Sequence, residues 1–222
     1  METDWLNETR ASYDTVAEAY AEFVRGSLEE APMLRAGLRA FADLVGLGGG
    51  GRVLDAGCGP GQVTAHLRAL GVDAFGVDLS AGMVDVARRA YPALDFVVGS
   101  VTALGLGDGS LGGVLAFWSL IHIPDDAIPG VLAEFRRVLR PGAPILIGFH
   151  AGEGSRRKTE GYGGRPMNVF VHRRSARRMT DWLTAAGFTV ETQLLLGLDS
   201  AHPGAMVFGR RSAADVAHAR AN

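Results

Sequence analysis

Apolar residues recur at helical spacing through the first 46 positions. Val16, Tyr20, Phe23 and Val24 fall on one face, and Leu34, Leu38, Phe41 and Val45 form a second stripe from about Pro32. Thr15-Val16-Ala17-Glu18 fits a capping box at the start of the first helix. Gly48 to Gly51 then break the pattern. From Arg52 onward, short apolar runs alternate with helical stripes. Strands are expected at 52–55, 74–77, 94–98, 114–118 and 145–149. The helices between them carry Val63, Leu67 and Leu70, span about 80–91, and carry Ile128, Val131, Leu132, Phe135, Val138 and Leu139 before Arg140-Pro141-Gly142. Between Ala151 and Val169 periodicity vanishes and glycine and charge dominate, so a loop or mobile insertion is expected. A helix resumes near Ser175 with Met179, Trp182, Leu183 and Ala186, and strands follow near 189–195 and 206–209. After Arg211 the tail is small and polar, expected to be frayed or loosely helical. Repeated strand–helix alternation implies parallel strands with right-handed crossovers and helices on both faces. The expectation is a doubly wound α/β fold with a mostly parallel seven-stranded sheet. Residues 1–50 are read as a helical cap or lid. Residues 51–222 are read as the core, with a basic insertion at about 151–173.

The informative stretch is Val53-Leu54-Asp55-Ala56-Gly57-Cys58-Gly59-Pro60-Gly61. A strand runs into three glycines and a helix follows, so backbone approaches a ligand beside a helix N-terminus. The dinucleotide fingerprint G-x-G-x-x-G needs glycine at position 62, where Gln62 stands. The phosphate loop G-x-x-x-x-G-K-[ST] is also absent. Asp55, just ahead of the glycines, repels a pyrophosphate and suits a cationic amino-acid end. Asp78 closes the second strand, where a carboxylate accepts hydrogen bonds from ribose hydroxyls. Its alternative reading is a cap for the helix that begins near Ser80.

Composition narrows the class. The 222 residues are 47% hydrophobic and 21% charged, with a net charge of −2, which indicates one large domain or a core with an appendage. No apolar run approaches the ~18 to 20 residues that span a bilayer. The start, Met1-Glu2-Thr3-Asp4-Trp5, lacks the basic and apolar character of a signal peptide, so a cytoplasmic protein is expected, with no membrane partner. A single cysteine, Cys58, excludes an intrachain disulfide framework and a multi-cysteine metal cluster. Of the 22 basic residues all but Lys158 are arginine, for which codon bias is a sufficient cause.

These residues resemble the class I S-adenosylmethionine-dependent methyltransferases. Val53 to Gly61 looks like their first motif, Gly76 to Ser80 like the acidic segment after it, and Leu139-Arg140-Pro141-Gly142 like the helix end before the fifth strand. Tyr13-Asp14-x-x-Ala17-x-x-Tyr20 and Ala116-Phe117-Trp118-Ser119-Leu120-Ile121-His122 bring the chain nearest the small-molecule branch common in bacterial metabolism. The resemblance covers about 13–209 and implies a Rossmann-like fold. It implies that Asp55 and the backbone of Gly57, Cys58 and Gly59 surround the methionine part of S-adenosylmethionine. Asp78 would hold the ribose, with Leu79 and Met83 against the adenine and Gly99-Ser100-Val101 along its edge. Many relatives carry an acid where Ser100 stands. Phe117 would flank the cofactor, and Tyr13 and Tyr20 lie on the cap expected to close over it, as contacts or as packing. Cys58 reads as a small packed residue of the loop. S-adenosylhomocysteine would be the product, and no metal is expected.

The acceptor side is read from position. In open α/β sheets the ligand crevice lies outside the carboxyl ends of the strands. His122 follows the fourth strand and His150 the fifth, so each is a candidate base, against the alternative of a histidine satisfied by a backbone carbonyl. Tyr20, Trp118 and Arg173 are the candidates for acceptor contact. Between Ser155 and Arg178 lie eight basic residues and one acidic, a net +7 that leaves −9 for the rest of the chain. That segment fits an acidic or phosphorylated acceptor, or else a solvated arginine-rich surface. Thin aromatic interleaving and acidic overall charge argue against nucleic acid.

Absences narrow the reaction. Neither Asn-Pro-Pro-Tyr nor Asp-Pro-Pro-Tyr follows the fourth strand, against exocyclic adenine or glutamine amide methylation of the family's known kind. H-E-x-x-H and G-x-S-x-G are also missing. The function expected is methyl transfer to an oxygen, nitrogen or carbon of a small, specialised metabolite. The rivals are an RNA or protein methyltransferase using the basic segment, a relative that keeps the cofactor but catalyses another reaction, and a nicotinamide-dependent oxidoreductase.

Overall fold

Val53, Leu115 and Leu146 belong to one buried layer of the central strands, and their neighbours Leu54, Val114 and Ile145 to the other. Strands apolar on both sides need helices on both sides. The computed structural model, which describes residues 2–213, supplies them. In chain order the elements are α1 (Glu2–Val24), α2 (Pro32–Leu47), β1 (Val53–Ala56), α3 (Gln62–Ala69), β2 (Ala74–Asp78), α4 (Ala81–Ala90), β3 (Phe96–Val98) and β4 (Gly113–Phe117). Then come α5 (Ile128–Val138), β5 (Pro144–His150), β6 (Ser155–Glu160), β7 (Pro166–His172), α6 (Ala176–Ala185), β8 (Phe188–Leu196) and β9 (Gly204–Arg211).

Seven strands form one sheet in the order β3-β2-β1-β4-β5-β9-β8. The first five run parallel, and β9 lies antiparallel between β5 and β8. Strand order reverses between β1 and β4, which opens a crevice at their carboxyl ends. Leu38, Phe41 and Val45 of α2 and Val63 and Leu67 of α3 pack with Val53, Leu115 and Leu146. Ile128, Leu132 and Phe135 of α5 and Met179 and Leu183 of α6 cover the opposite face. A Cβ at Gly113 would come within 3.0 Å of Val45 and 3.2 Å of Phe41, so glycine lets α2 lie close on β4. Phe41 is fully buried, and truncating such a side chain costs ~3–5 kcal/mol.

The structure revises several expectations. The segment expected as a cap divides in two: α2 is a layer on the sheet, because its stripe meets Met206 and Phe208 of β9, and α1 alone crosses the strand ends. Thr15 starts no helix. It sits inside α1, and its Oγ1 donates back to the Ala11 carbonyl at 2.8 Å. The expected loop within 151–169 is instead a hairpin of β6 and β7. Met167, Val169 and Val171 are its buried face, at spacing two, while all of Ser155-Arg156-Arg157-Lys158-Thr159-Glu160 is polar and carries no alternation to read. The tail expected to fray falls, from residue 214, outside the described residues. Among the described residues no helix is long and apolar enough to cross a membrane.

Candidate active site

The turn from β1 into α3 uses its glycines in two ways. Gly57 (φ +78°) and Gly61 (φ +87°) adopt left-handed backbone and are packed in, since a Cβ at Gly57 would fall inside Ser119 and one at Gly61 would lie 2.7 Å from Phe96. Gly59 (φ +54°) has no protein atom nearer to its Cβ position than Tyr20 at 3.7 Å, so its bare backbone faces open space. The loop is tied to β2, because the amides of Gly57 and Cys58 both donate to the Val77 carbonyl.

Asp78 completes that connection. Its Oδ2 accepts from the Gly59 amide at 2.8 Å and its Oδ1 from the Ser80 amide at 2.9 Å, leaving each oxygen a further lone pair. The cap of α4 is Ser80, whose Oγ accepts from the Met83 amide. Ser80 Oγ donates in turn to Asp14 Oδ1 at 2.6 Å, which also accepts from the Gly82 amide, so α1 is pinned to the start of α4. Asp55 is 1% exposed; Thr64 Oγ1 donates to its Oδ2 at 2.6 Å, and its Oδ1 has no partner. Burial pushes its carboxyl up to about 7, although the Thr64 bond opposes the shift.

A cavity of about 250 Å³ lies between these loops and α1. Every residue expected to hold the cofactor lines it: Asp55, Gly57, Cys58 and Gly59 from the first loop, Asp78, Leu79 and Met83 from the second, Ser100, Val101 and Phe117 beyond, and Tyr13 from α1. Burial and the neighbouring carboxylates hold the Cys58 thiol well above its usual range, so it is no thiolate. Ser100 Oγ accepts from the Thr102 amide at 3.2 Å and shares a bond with Thr102 Oγ1 at 2.7 Å. The donor set fits a nucleoside with a cationic amino-acid end: an orphaned buried carboxylate oxygen, a second carboxylate with spare acceptors, and an uncovered glycine backbone.

His122 ends a short 3-10 turn, Leu120–His122, and also lines the cavity. Its Nδ1 lies 2.7 Å from the Phe170 carbonyl, which only accepts, so Nδ1 carries the hydrogen. Its Nε2 therefore accepts from the Tyr13 hydroxyl, also at 2.7 Å. Burial drops the imidazole pKa to about 4 and pushes the Tyr13 phenol well up, so both are neutral. The turn is held by Arg174, which is 1% exposed. Its Nε donates to Asp125 Oδ1 at 2.9 Å, its Nη1 to the Leu120 carbonyl at 2.9 Å, and its Nη2 to the Ile123 carbonyl.

Two expected residues stand elsewhere. His150 is outside the cavity because Trp118 lies between: Trp118 Nε1 donates to His150 Nδ1 at 3.3 Å. Arg173, expected at the acceptor, turns toward the Ala201 carbonyl and His202. Tyr20 and Trp118 do line the cavity. Trp118 has a left-handed backbone (φ +55°), unusual for a bulky residue, and its ring occupies space left by Gly148 and Gly204. None of the eight basic side chains of 155–178 reaches the cavity. Besides Arg174, Arg157 donates to Asn168, Arg178 pairs with Asp125, and Lys158 sits 3.9 Å from the Tyr162 ring centroid. Sequence reasoning missed Asp14, the Phe170 carbonyl, and Trp5 and Thr9 of the cavity wall. Positions 5, 9, 13, 16 and 20 do have helical spacing, but polar Thr9 interrupts the stripe. Among the described residues no three His, Cys, Asp or Glu side chains converge as a metal site.

Residues 53–142 match a family model described as a methyltransferase domain. A demethylmenaquinone methyltransferase of Renibacterium salmoninarum is 32% identical over 64% of this chain and 58% of its own length. A probable S-adenosylmethionine-dependent methyltransferase of Mycolicibacterium smegmatis is 31% identical over 70% of this chain and 61% of its own. The chain thus spans about three fifths of those relatives. The crystal structure of a magnesium protoporphyrin IX methyltransferase from Synechocystis with bound S-adenosylmethionine superposes with a TM-score of 0.72 at 16% identity, over 94% of this chain and 98% of that one, which shows the shared fold.

Proposed function

We propose that this chain, which carries a methyltransferase domain at 53–142 and shares the fold of such enzymes, is a class I S-adenosylmethionine-dependent methyltransferase that methylates an oxygen, nitrogen or carbon of a small-molecule acceptor. One observation carries the reading: the glycine loop with Asp55 and Asp78, and the neutral His122–Tyr13 pair, line the same cavity. In this reading Asp78 accepts from the ribose hydroxyls and Asp55 Oδ1 from the ammonium. Leu79 and Met83 cover the adenine, and α1 is the lid.

Bound S-adenosylmethionine supplies an already activated sulfonium methyl group. What remains for the protein is to orient the acceptor and exclude water, worth ~7 kcal/mol or more when geometry is good. His122 Nε2 takes up the proton the acceptor loses, through the Tyr13 hydroxyl, and the Phe170 carbonyl stabilises the imidazolium. A base of pKa about 4 suffices because an O–H or N–H group becomes strongly acidic as its heavy atom is alkylated. A small molecule is favoured over RNA because none of the basic side chains of 155–178 lines the cavity and Arg174 is buried.

Calorimetric titration with S-adenosylmethionine, S-adenosylhomocysteine and NADH, on wild type and Asp78→Ala, tests the cofactor. Both sulfur nucleosides should bind and NADH should not. The variant should lose at least about tenfold, since hydrogen bonds to a charged acceptor contribute ~1.5–3 kcal/mol. Failure of both nucleosides to bind folded wild-type protein ends the reading.

A further inference from the structure

The cavity under α1 is lined by the residues read as holding the nucleoside. A second cavity, of about 280 Å³, shares His122, Trp5 and Thr9 with the first. Its remaining walls include Pro124 after the 3-10 turn and Phe170 and His172 of β7. Phe170 is 46% exposed, and the His172 ring lies 6.3 Å from its ring at a 30° tilt. A half-bare aromatic ring at a cavity wall is a stacking surface without an occupant. Among the described residues no arginine or lysine lines this cavity. Its one carboxylate, Glu8, already accepts from Asn168 Nδ2 at 2.7 Å.

We propose that this second cavity is the acceptor chamber and that it takes a flat, uncharged aromatic molecule bearing a hydroxyl or N–H group. The ring lies against Phe170, His172 and Trp5, and the nucleophile points across the shared wall of Trp5, Thr9 and His122 into the first cavity, where the Tyr13 hydroxyl stands. This rests on the methyl-transfer reading above. An anionic acceptor finds no arginine or lysine in the chamber wall, and Arg157 of the hairpin donates to Asn168 instead. Phe170 has two separable roles. Its carbonyl fixes the His122 tautomer and its side chain shapes the chamber, so the ring can be changed while the carbonyl stays.

The test is fluorescence titration of 2-naphthol, a planar neutral probe, into protein saturated with S-adenosylhomocysteine. Wild type should bind it. Phe170→Ala should weaken 2-naphthol about tenfold by removing the stacking surface, and Phe170→Trp at least as much by filling the chamber. Both variants should keep S-adenosylhomocysteine affinity within about twofold and a wild-type melting temperature. The anion 2-naphthoate, with the same rings, should bind at least about tenfold more weakly than 2-naphthol. The proposal is overturned if wild type does not bind 2-naphthol, if both variants bind it as wild type does, if S-adenosylhomocysteine displaces it, or if 2-naphthoate binds better. Should S-adenosylhomocysteine itself fail to bind, the cofactor reading falls separately. The same 2-naphthol titrations on ligand-free wild type and variants then decide the chamber.

Discussion

The Tyr13 hydroxyl donates to His122 Nε2 across 2.7 Å, joining the roof of the cavity to the end of the fourth strand. If this pair accepts the proton, removing either partner slows the chemical step more than it weakens binding. His122→Asn is expected to lower kcat about 10²-fold or more, with less than about a threefold change in KM for S-adenosylmethionine. Tyr13→Phe should act in the same direction. The double variant should be little worse than His122→Asn alone, because the two act as a unit. Steady-state kinetics with a working acceptor read this out, and an unchanged kcat in His122→Asn removes the pair from the chemistry.

Acid stability should separate His122 from Asp55. His122 titrates near 4 when folded and near 6.5 when unfolded, so the unfolded chain binds the extra proton and stability drains as pH falls from 6.5 toward 4. Asp55 titrates near 7 when folded and near 3.8 when unfolded, so its contribution is present at low pH and is lost as pH rises through 7. Each is worth on the order of 3–4 kcal/mol and the slopes oppose. Relative to wild type, His122→Asn should gain stability on going from pH 7 to 5, and Asp55→Asn should lose it. Urea midpoints at the two pH values measure both.

Cofactor affinity should carry the Asp55 titration. An ammonium is held by the carboxylate and not by the acid, which the folded protein holds below about pH 7. Affinity for S-adenosylhomocysteine should fall about tenfold for each unit below that point. Asp55→Asn should bind weakly and without this dependence. Calorimetry between pH 5 and 7 distinguishes this from a pH-independent site, in which Asp55 has no contact with the ammonium.

Arg174 should prove a structural residue in a segment that reads as surface charge. Arg174→Met leaves the buried Leu120 and Ile123 carbonyls without their donor, while Asp125 keeps Arg178, and an unsatisfied buried acceptor costs ~1–3 kcal/mol. Arg177→Ala, with its side chain 92% exposed, should cost less than about 0.5 kcal/mol. Chemical denaturation of the two variants compares them directly.

Much of this was legible along the chain because it is local. Leu54, Val114 and Ile145 sit in short runs that only a buried parallel strand accommodates, and the sheet follows their alternation with the helices. The loop from Asp55 to Gly61 and the carboxylate of Asp78 are each specified within a few residues of a strand end. The hairpin was hidden because β6 is polar throughout. Its strand character comes from β7 and from the packing of Met167 and Val169 on Val16 of α1.

The sequence by itself therefore determined the layered sheet, the glycine turn and the place of two carboxylates, since hydrophobic period and turn chemistry act over a few residues. Tertiary structure alone decided which histidine meets a tyrosine and which arginine is buried. His122 takes its partners from 109 and 48 positions away, and Arg174 takes its acceptors from 49 to 54 positions away. No local pattern carries such pairings. They arise because burying α1 and β7 against the strand ends takes polar atoms there out of water, so they find their hydrogen-bond partners within the fold.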